Sequence, residues 1–139
     1  MFKLTQKSYG FTLIEVLIAM SIFAISILSV AGFFVYANKN IRFARNTTIA
    51  SNLAQKLIEE NLAKSYQELN LGTSTKTRFS NDPASSYYSF QYQEEIGLIN
   101  SDLNPITTDI GLKKILVTIY WQEGTVEKNV QMATIKNER

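Results

Sequence analysis

The sequence predicts an α+β chain. A long N-terminal α-helix spans a membrane in its first half, and a small antiparallel β-sheet head packs on its C-terminal half. Three observations carry that expectation. Val16 to Ala37 is an uncharged apolar run of 22 residues, long enough at about 1.5 Å per residue to cross a hydrocarbon core of roughly 30 Å. Beyond it apolar residues recur at helical spacing, and from Phe11 no proline interrupts the chain until Pro83. From residue 88 onward the pattern changes to strict alternation, the period of a half-buried strand.

Residues 1–10, with Lys3 and Lys7, form a polar leader too short to fold. Residues 11–37 are expected to be the membrane-spanning helix. Ser21, Ser26 and Ser29 lie inside it, where each hydroxyl can bond back to the carbonyl four residues earlier. Gly32 is either a point of helix flexibility, since Gly weakens a helix by roughly 0.8–1 kcal/mol relative to Ala, or a small residue for close helix packing. Glu15 is the anomaly. A carboxylate in an apolar span costs about 2.5–3.5 kcal/mol near the membrane centre and less near an interface, so Glu15 reads as functional.

Residues 38–71 are expected to continue the helix amphipathically, with Gly72 as its C-cap. Ile49, Leu53 and Leu57 form one row at i,i+4 spacing; Ile58, Leu62 and Tyr66 form a second, with Leu69 beside it. The rows lie about 160° apart. The later row is expected to pack on the chain's own head and the earlier one on neighbouring helices. Lys56, Glu60, Lys64 and Glu68 form a solvated charge row.

Residues 72–139 form the head. Residues 72–86 are a polar, Ser/Thr-rich connection suited to partner contacts. Tyr88, Phe90 and Tyr92 share one strand face. After a loop at 97–112, Ile115, Val117, Ile119 and Trp121 share the face of a second strand. Gln122-Glu123-Gly124-Thr125 signals a turn, and Val126 to Ile135 returns as the hairpin partner. Lys136 to Arg139 reads as a frayed tail. About 65 residues beyond the helix are few for an independent core, so three or four strands laid on the helix are the economical solution.

The chain has no cysteine and no histidine, which excludes disulfides, thiolate nucleophiles, Cys/His zinc sites and Ser-His-Asp triads. No cofactor is expected. Asp102, Asp109, Glu123 and Glu127 are scattered and form no EF-hand-like loop. Glu94 and Glu95, adjacent on a strand, point to opposite faces and read as solvated charge, not as a catalytic pair. Lys113 and Lys114 are a poor nucleic-acid footprint, and Trp121 reads as a core anchor. Without Lys3 and Lys7, 12 basic residues balance 12 acidic ones, so no whole-chain attraction to nucleic acid follows. Lys39, Arg42 and Arg45 come just after the apolar run, so the positive-inside count leaves orientation open.

The run G-F-T-L-I-E-V-L-I-A-M at residues 10–20, preceded by a short basic leader and followed by an apolar span, resembles the N-terminus of type IV pilins and type II secretion pseudopilins. The resemblance implies cleavage between Gly10 and Phe11 by a membrane-embedded prepilin peptidase on the cytoplasmic side. It implies methylation of the new Phe11 amine by the same enzyme, from S-adenosylmethionine. It places Glu15 at the fifth mature position, facing the Phe11 amine of a neighbouring subunit during assembly. Opposite charges attract strongly in a low dielectric, and each would otherwise stay an unpaired ion. The implied protein is a non-enzymatic minor pilin or pseudopilin, with the C-terminal hairpin similar to the I/PilV type. Its partners would be the peptidase, other pilin subunits and an inner-membrane assembly platform. It would sit single-pass in the bacterial cytoplasmic membrane, head outside the cytoplasm, and then in a filament. The alternative is an adhesive or DNA-binding pilin whose head is a binding module, favoured by a basic or aromatic patch at 72–86 or 97–112.

Overall fold

A computed structural model describes residues 10–138; residues 1–9 of the expected leader at 1–10, and the terminal Arg139, lie outside the described residues. The chain is α+β: α1 (Leu13–Ala63), then β1 (Gly72–Thr73), β2 (Thr77–Arg78), β3 (Phe90–Leu98), β4 (Leu112–Glu123) and β5 (Val126–Asn137). It divides into two compact units at Ile41/Arg42. The described part of the first is helix from Leu13, with its large apolar side chains exposed, and is long and apolar enough to cross a membrane. The hydroxyls of Ser21, Ser26 and Ser29 donate to the carbonyls of Leu17, Ile22 and Ile25 at 2.8 Å, as the sequence predicts.

In the second unit the sheet is antiparallel throughout, β3, β4 and β5 side by side in chain order. β1 and β2 share the outer edge of β3: Thr73 lies opposite Glu95 and Thr77 opposite Tyr92. Three residues, 74–76, therefore face two on β3, and this extra residue makes a bulge. The expected connection at 72–86 is thus partly sheet, and Gly72 is a strand residue, not a helix cap. The β4–β5 hairpin closes over Gly124-Thr125, with Glu123 opposite Val126. Gly124 has φ 64°, the left-handed value that a two-residue turn of type II′ needs at its first position.

One face of this sheet meets the helix. Ile115, Val117 and Ile119 are fully buried, with Trp121 and Phe90 nearly so. Opposite them on α1 are Ala50, Leu53, Ala54, Leu57, Ile58 and Asn61, a stripe about 140° wide. This corrects half of the expected assignment. Ile58, Tyr66 and Leu69 of the later row are buried as expected and only Leu62 is exposed, but the row Ile49, Leu53 and Leu57 also packs on the chain's own sheet, not on neighbouring helices. The physical reason is size: Ala50 and Ala54, both at zero exposure, let the sheet approach the backbone, and a search for large side chains passes over them.

The helix stops eight residues short of Leu71. Carbonyls at its end and in the segment just beyond it find partners from the sheet instead of from a next helical turn. Lys136 Nζ donates to the carbonyls of Leu62 and Lys64. Lys113 Nζ donates to those of Tyr66 (2.8 Å) and Leu69 (2.9 Å). The unwound segment turns Tyr66 and Leu69 inward, where both are buried. The charge row is cut short as well. Lys56–Glu60 forms an exposed pair at 3.7 Å, but Glu68 accepts the Ser65 amide at 2.7 Å and Lys64 turns to Asn61. The tail is not frayed: Lys136 and Asn137 belong to β5, and the Glu138 amide donates to the Gly111 carbonyl at 2.9 Å.

The Tyr66 hydroxyl donates to Asp109 Oδ1, and its ring lies 4.1 Å from the Lys113 ammonium. Burial, then the Asp109 hydrogen bond, pushes Tyr66 up to about 12. The same bond, with the Gly111 amide, holds the Asp109 carboxyl below its ordinary value. The unfolded chain releases the Tyr66 proton near pH 10, so this group's contribution to stability is full below that and fades as pH rises towards 12. Absorbance titration at 295 nm should show one tyrosine ionising last, near pH 12, and Asp109→Asn should bring it lower. For Asp109 the sign is opposite: its contribution is present above its unfolded pKa and fades as pH falls through the lower folded one. Lys113→Met should cost about 2–6 kcal/mol in denaturant unfolding of the full chain in micelles. Each buried carbonyl left without its donor costs roughly 1–3 kcal/mol, and the single tryptophan, Trp121, reports the transition.

Candidate functional site

Gly10, Phe11 and Thr12 precede the helix and are exposed; Phe11 is 82% accessible. Thr12 is the N-cap. Its Oγ1 accepts the Glu15 amide at 3.3 Å and its carbonyl accepts the Val16 amide at 3.2 Å. Thr12 and Glu15 thus stand in the T-x-x-E relation of a capping box. An acidic residue in the first turn also complements the positive end of the helix dipole. The arrangement leaves the Gly10–Phe11 bond in non-helical, accessible chain immediately before a fixed first turn. A peptidase can bind a bond there without unwinding helix.

Glu15 is exposed among apolar neighbours, and among the described residues its carboxylate has no hydrogen-bond or ion-pair partner. It presents an unspent negative charge one turn from the chain end that cleavage would create. Gly32 lies mid-helix, and a methyl group added there would meet no atom within 4 Å. The structure brings it to no other predicted site residue. Sequence reasoning gave Thr12 no role, although its position three residues before a Glu was the available signal.

The second unit holds polar groups of another kind. Glu94, expected to be solvated, faces the helix beside Val117. It accepts the Asn61 amide, which also donates to the Leu57 carbonyl at 3.0 Å. Lys64 Nζ donates to Asn61 Oδ1 at 2.8 Å. These groups border an open cleft of about 320 Å³ that Ser74 also lines. Asn61 could have been found only by placing it on the apolar stripe. Lys113, weighed as half of a DNA footprint, is buried with its ammonium on two carbonyls, so it cannot meet a phosphate. An aromatic–cationic cluster does exist elsewhere. The Lys76 ammonium lies 3.7 Å from the Tyr120 ring centroid and 3.0 Å from Glu127, and Arg78 stacks on Tyr88 at 4.8 Å. Among the described residues no cluster of three or more acidic side chains could hold a metal ion.

Residues 5–31 match a family profile described as the prokaryotic N-terminal methylation motif. No curated protein and no solved structure matches the chain.

Thr12→Ala should fray the first turn by about 1 kcal/mol, the usual cost of losing such a cap. Amide exchange at Glu15 in micelles should then be several-fold faster, with Thr12→Ser close to the original.

Proposed function

We propose, for a chain that carries the methylation motif marking the type IV pilin and pseudopilin family, that it is a minor pilin or pseudopilin. It is a structural subunit, not an enzyme. Prepilin peptidase cuts it between Gly10 and Phe11 and methylates the Phe11 amine. The apolar helix holds it in the cytoplasmic membrane, head outside the cytoplasm, until an inner-membrane assembly platform adds it to a type II secretion pseudopilus or type IV pilus. The observation that carries this reading is the motif match at 5–31, which spans the exposed Gly10-Phe11 pair and Glu15. During assembly Glu15 pairs with the Phe11 amine of the neighbouring subunit, and Gly32 provides flexibility in the filament core. The Glu15 carboxylate has no partner among the described residues, which supports that role, because an ion that enters an apolar filament core unpaired would be strongly disfavoured.

A second reading, an adhesive or nucleic-acid-binding pilin, draws support from the cluster of Lys76, Arg78, Tyr88 and Tyr120. Lys76 is already paired with Glu127, which leaves little free positive charge, so the structural-subunit reading stands first.

Peptide mass analysis of the N-terminus in the native host tests the processing. The expected peptide starts at methylated Phe11; an intact Met1 terminus in every fraction would leave only a plain membrane anchor. Glu15→Ala should be cleaved normally yet be depleted from sheared filaments, and normal incorporation of that variant would remove its pairing role.

A further inference from the structure

The basic residues just beyond the apolar run have no role in that reading, and they run against the charge bias expected for a head outside the cytoplasm. Arg42, Arg45 and Asn46 lie on one helical face, at i, i+3 and i+4. With Ser86 and Ser89 they line a cavity of about 440 Å³ that Ile49 and Phe90 complete. All of these residues belong to the second unit. The lining contains no carboxylate, and among the described residues neither arginine has a hydrogen-bond or ion-pair partner. Two guanidinium groups, a side-chain amide and two hydroxyls are a donor-rich set, suited to the several oxygens of a phosphate.

We propose that this pocket binds the phosphate of a phospholipid headgroup on the head's side of the membrane. The arginines follow Ala37 by five and eight residues, which at about 1.5 Å per residue puts their backbone roughly 8 and 12 Å beyond it, at and just past the outer edge of a polar headgroup layer roughly 5–8 Å deep. Long arginine side chains reach back from there towards the headgroup phosphates. The bound lipid seats the head at the bilayer surface before the subunit is extracted, and it occupies positive charges that would otherwise oppose this orientation. The proposal rests on membrane insertion of the apolar run and is independent of filament assembly.

The test is native mass spectrometry of the full chain, extracted from membranes in a phosphorus-free alkyl maltoside. The wild type should retain at least one phospholipid. Each basic side chain near an anionic lipid surface is worth about fivefold in binding, so Arg42→Gln/Arg45→Gln should lower retention by about thirtyfold. Ser86→Ala/Ser89→Ala, which leaves both charges in place, should lower it several-fold, and the Tyr66 titration near pH 12 should confirm that both variants fold. Equal retention by wild type and the arginine variant would overturn the site. So would displacement of the lipid by millimolar inorganic phosphate, which would make free phosphate the ligand. Loss of subunit cross-links in the arginine variant without any change in lipid would overturn it in favour of a neighbour's carboxylate. A wild-type chain absent from the membrane fraction would instead refute insertion itself.

Discussion

Two lysines on neighbouring strands hold the C-terminal end of the helix, and the architecture of the head depends on them. Lys113 and Lys136 are direct cross-strand partners, a pairing of like charges that ordinarily destabilises a sheet. Here each ammonium is taken up by two carbonyls from residues 62–69, at the negative end of the helix dipole. The helix terminus supplies the acceptors that make two close positive charges tolerable, and the lysines supply the donors that the terminus lacks. The Tyr66 ring over Lys113, with Asp109 behind it, completes the balance.

That junction also determines where the sheet lies. With the helix ended at Ala63, β1 can begin nine residues later and reach the edge of β3. Ala50 and Ala54 then set the closeness of approach, and Leu53, Leu57 and Ile58 interdigitate with Ile115, Val117 and Ile119. Asn61 and Glu94 satisfy one another across the same interface, where a lone buried polar group would be costly. A head with no disulfide is closed by shape, by hydrogen bonds and by β5, whose last residues tie back to the helix end and to Gly111.

The N-terminal motif works on different physics. Among the described residues its side chains meet no other element, so their arrangement is set locally: Thr12 starts the helix, the chain before it is non-helical, and Glu15 is left one turn on. Gly10 and Phe11 were singled out by resemblance, and Glu15 by its charge within an apolar run, both of which are local features of the sequence. Thr12 was equally within reach and was missed because its neighbours drew attention for their charge and cleavage chemistry.

The sequence by itself determined the membrane-length helix, the back-bonded serines, the buried face of Ile115, Val117, Ile119 and Trp121, and the hairpin over Gly124. Each follows from composition, periodicity or turn chemistry within one continuous stretch of chain. Tertiary structure alone decided the helix end at Ala63, the inward turn of the Ile49, Leu53 and Leu57 row, the strands at 72–78, the burial of Lys113 and the half-burial of Glu94. In each of these the deciding partner lies far along the chain: Lys136 for Leu62, Lys113 for Leu69, Glu94 for Asn61. A helix continues only while its own next turn is the best available donor, and here a lysine more than seventy residues away was better.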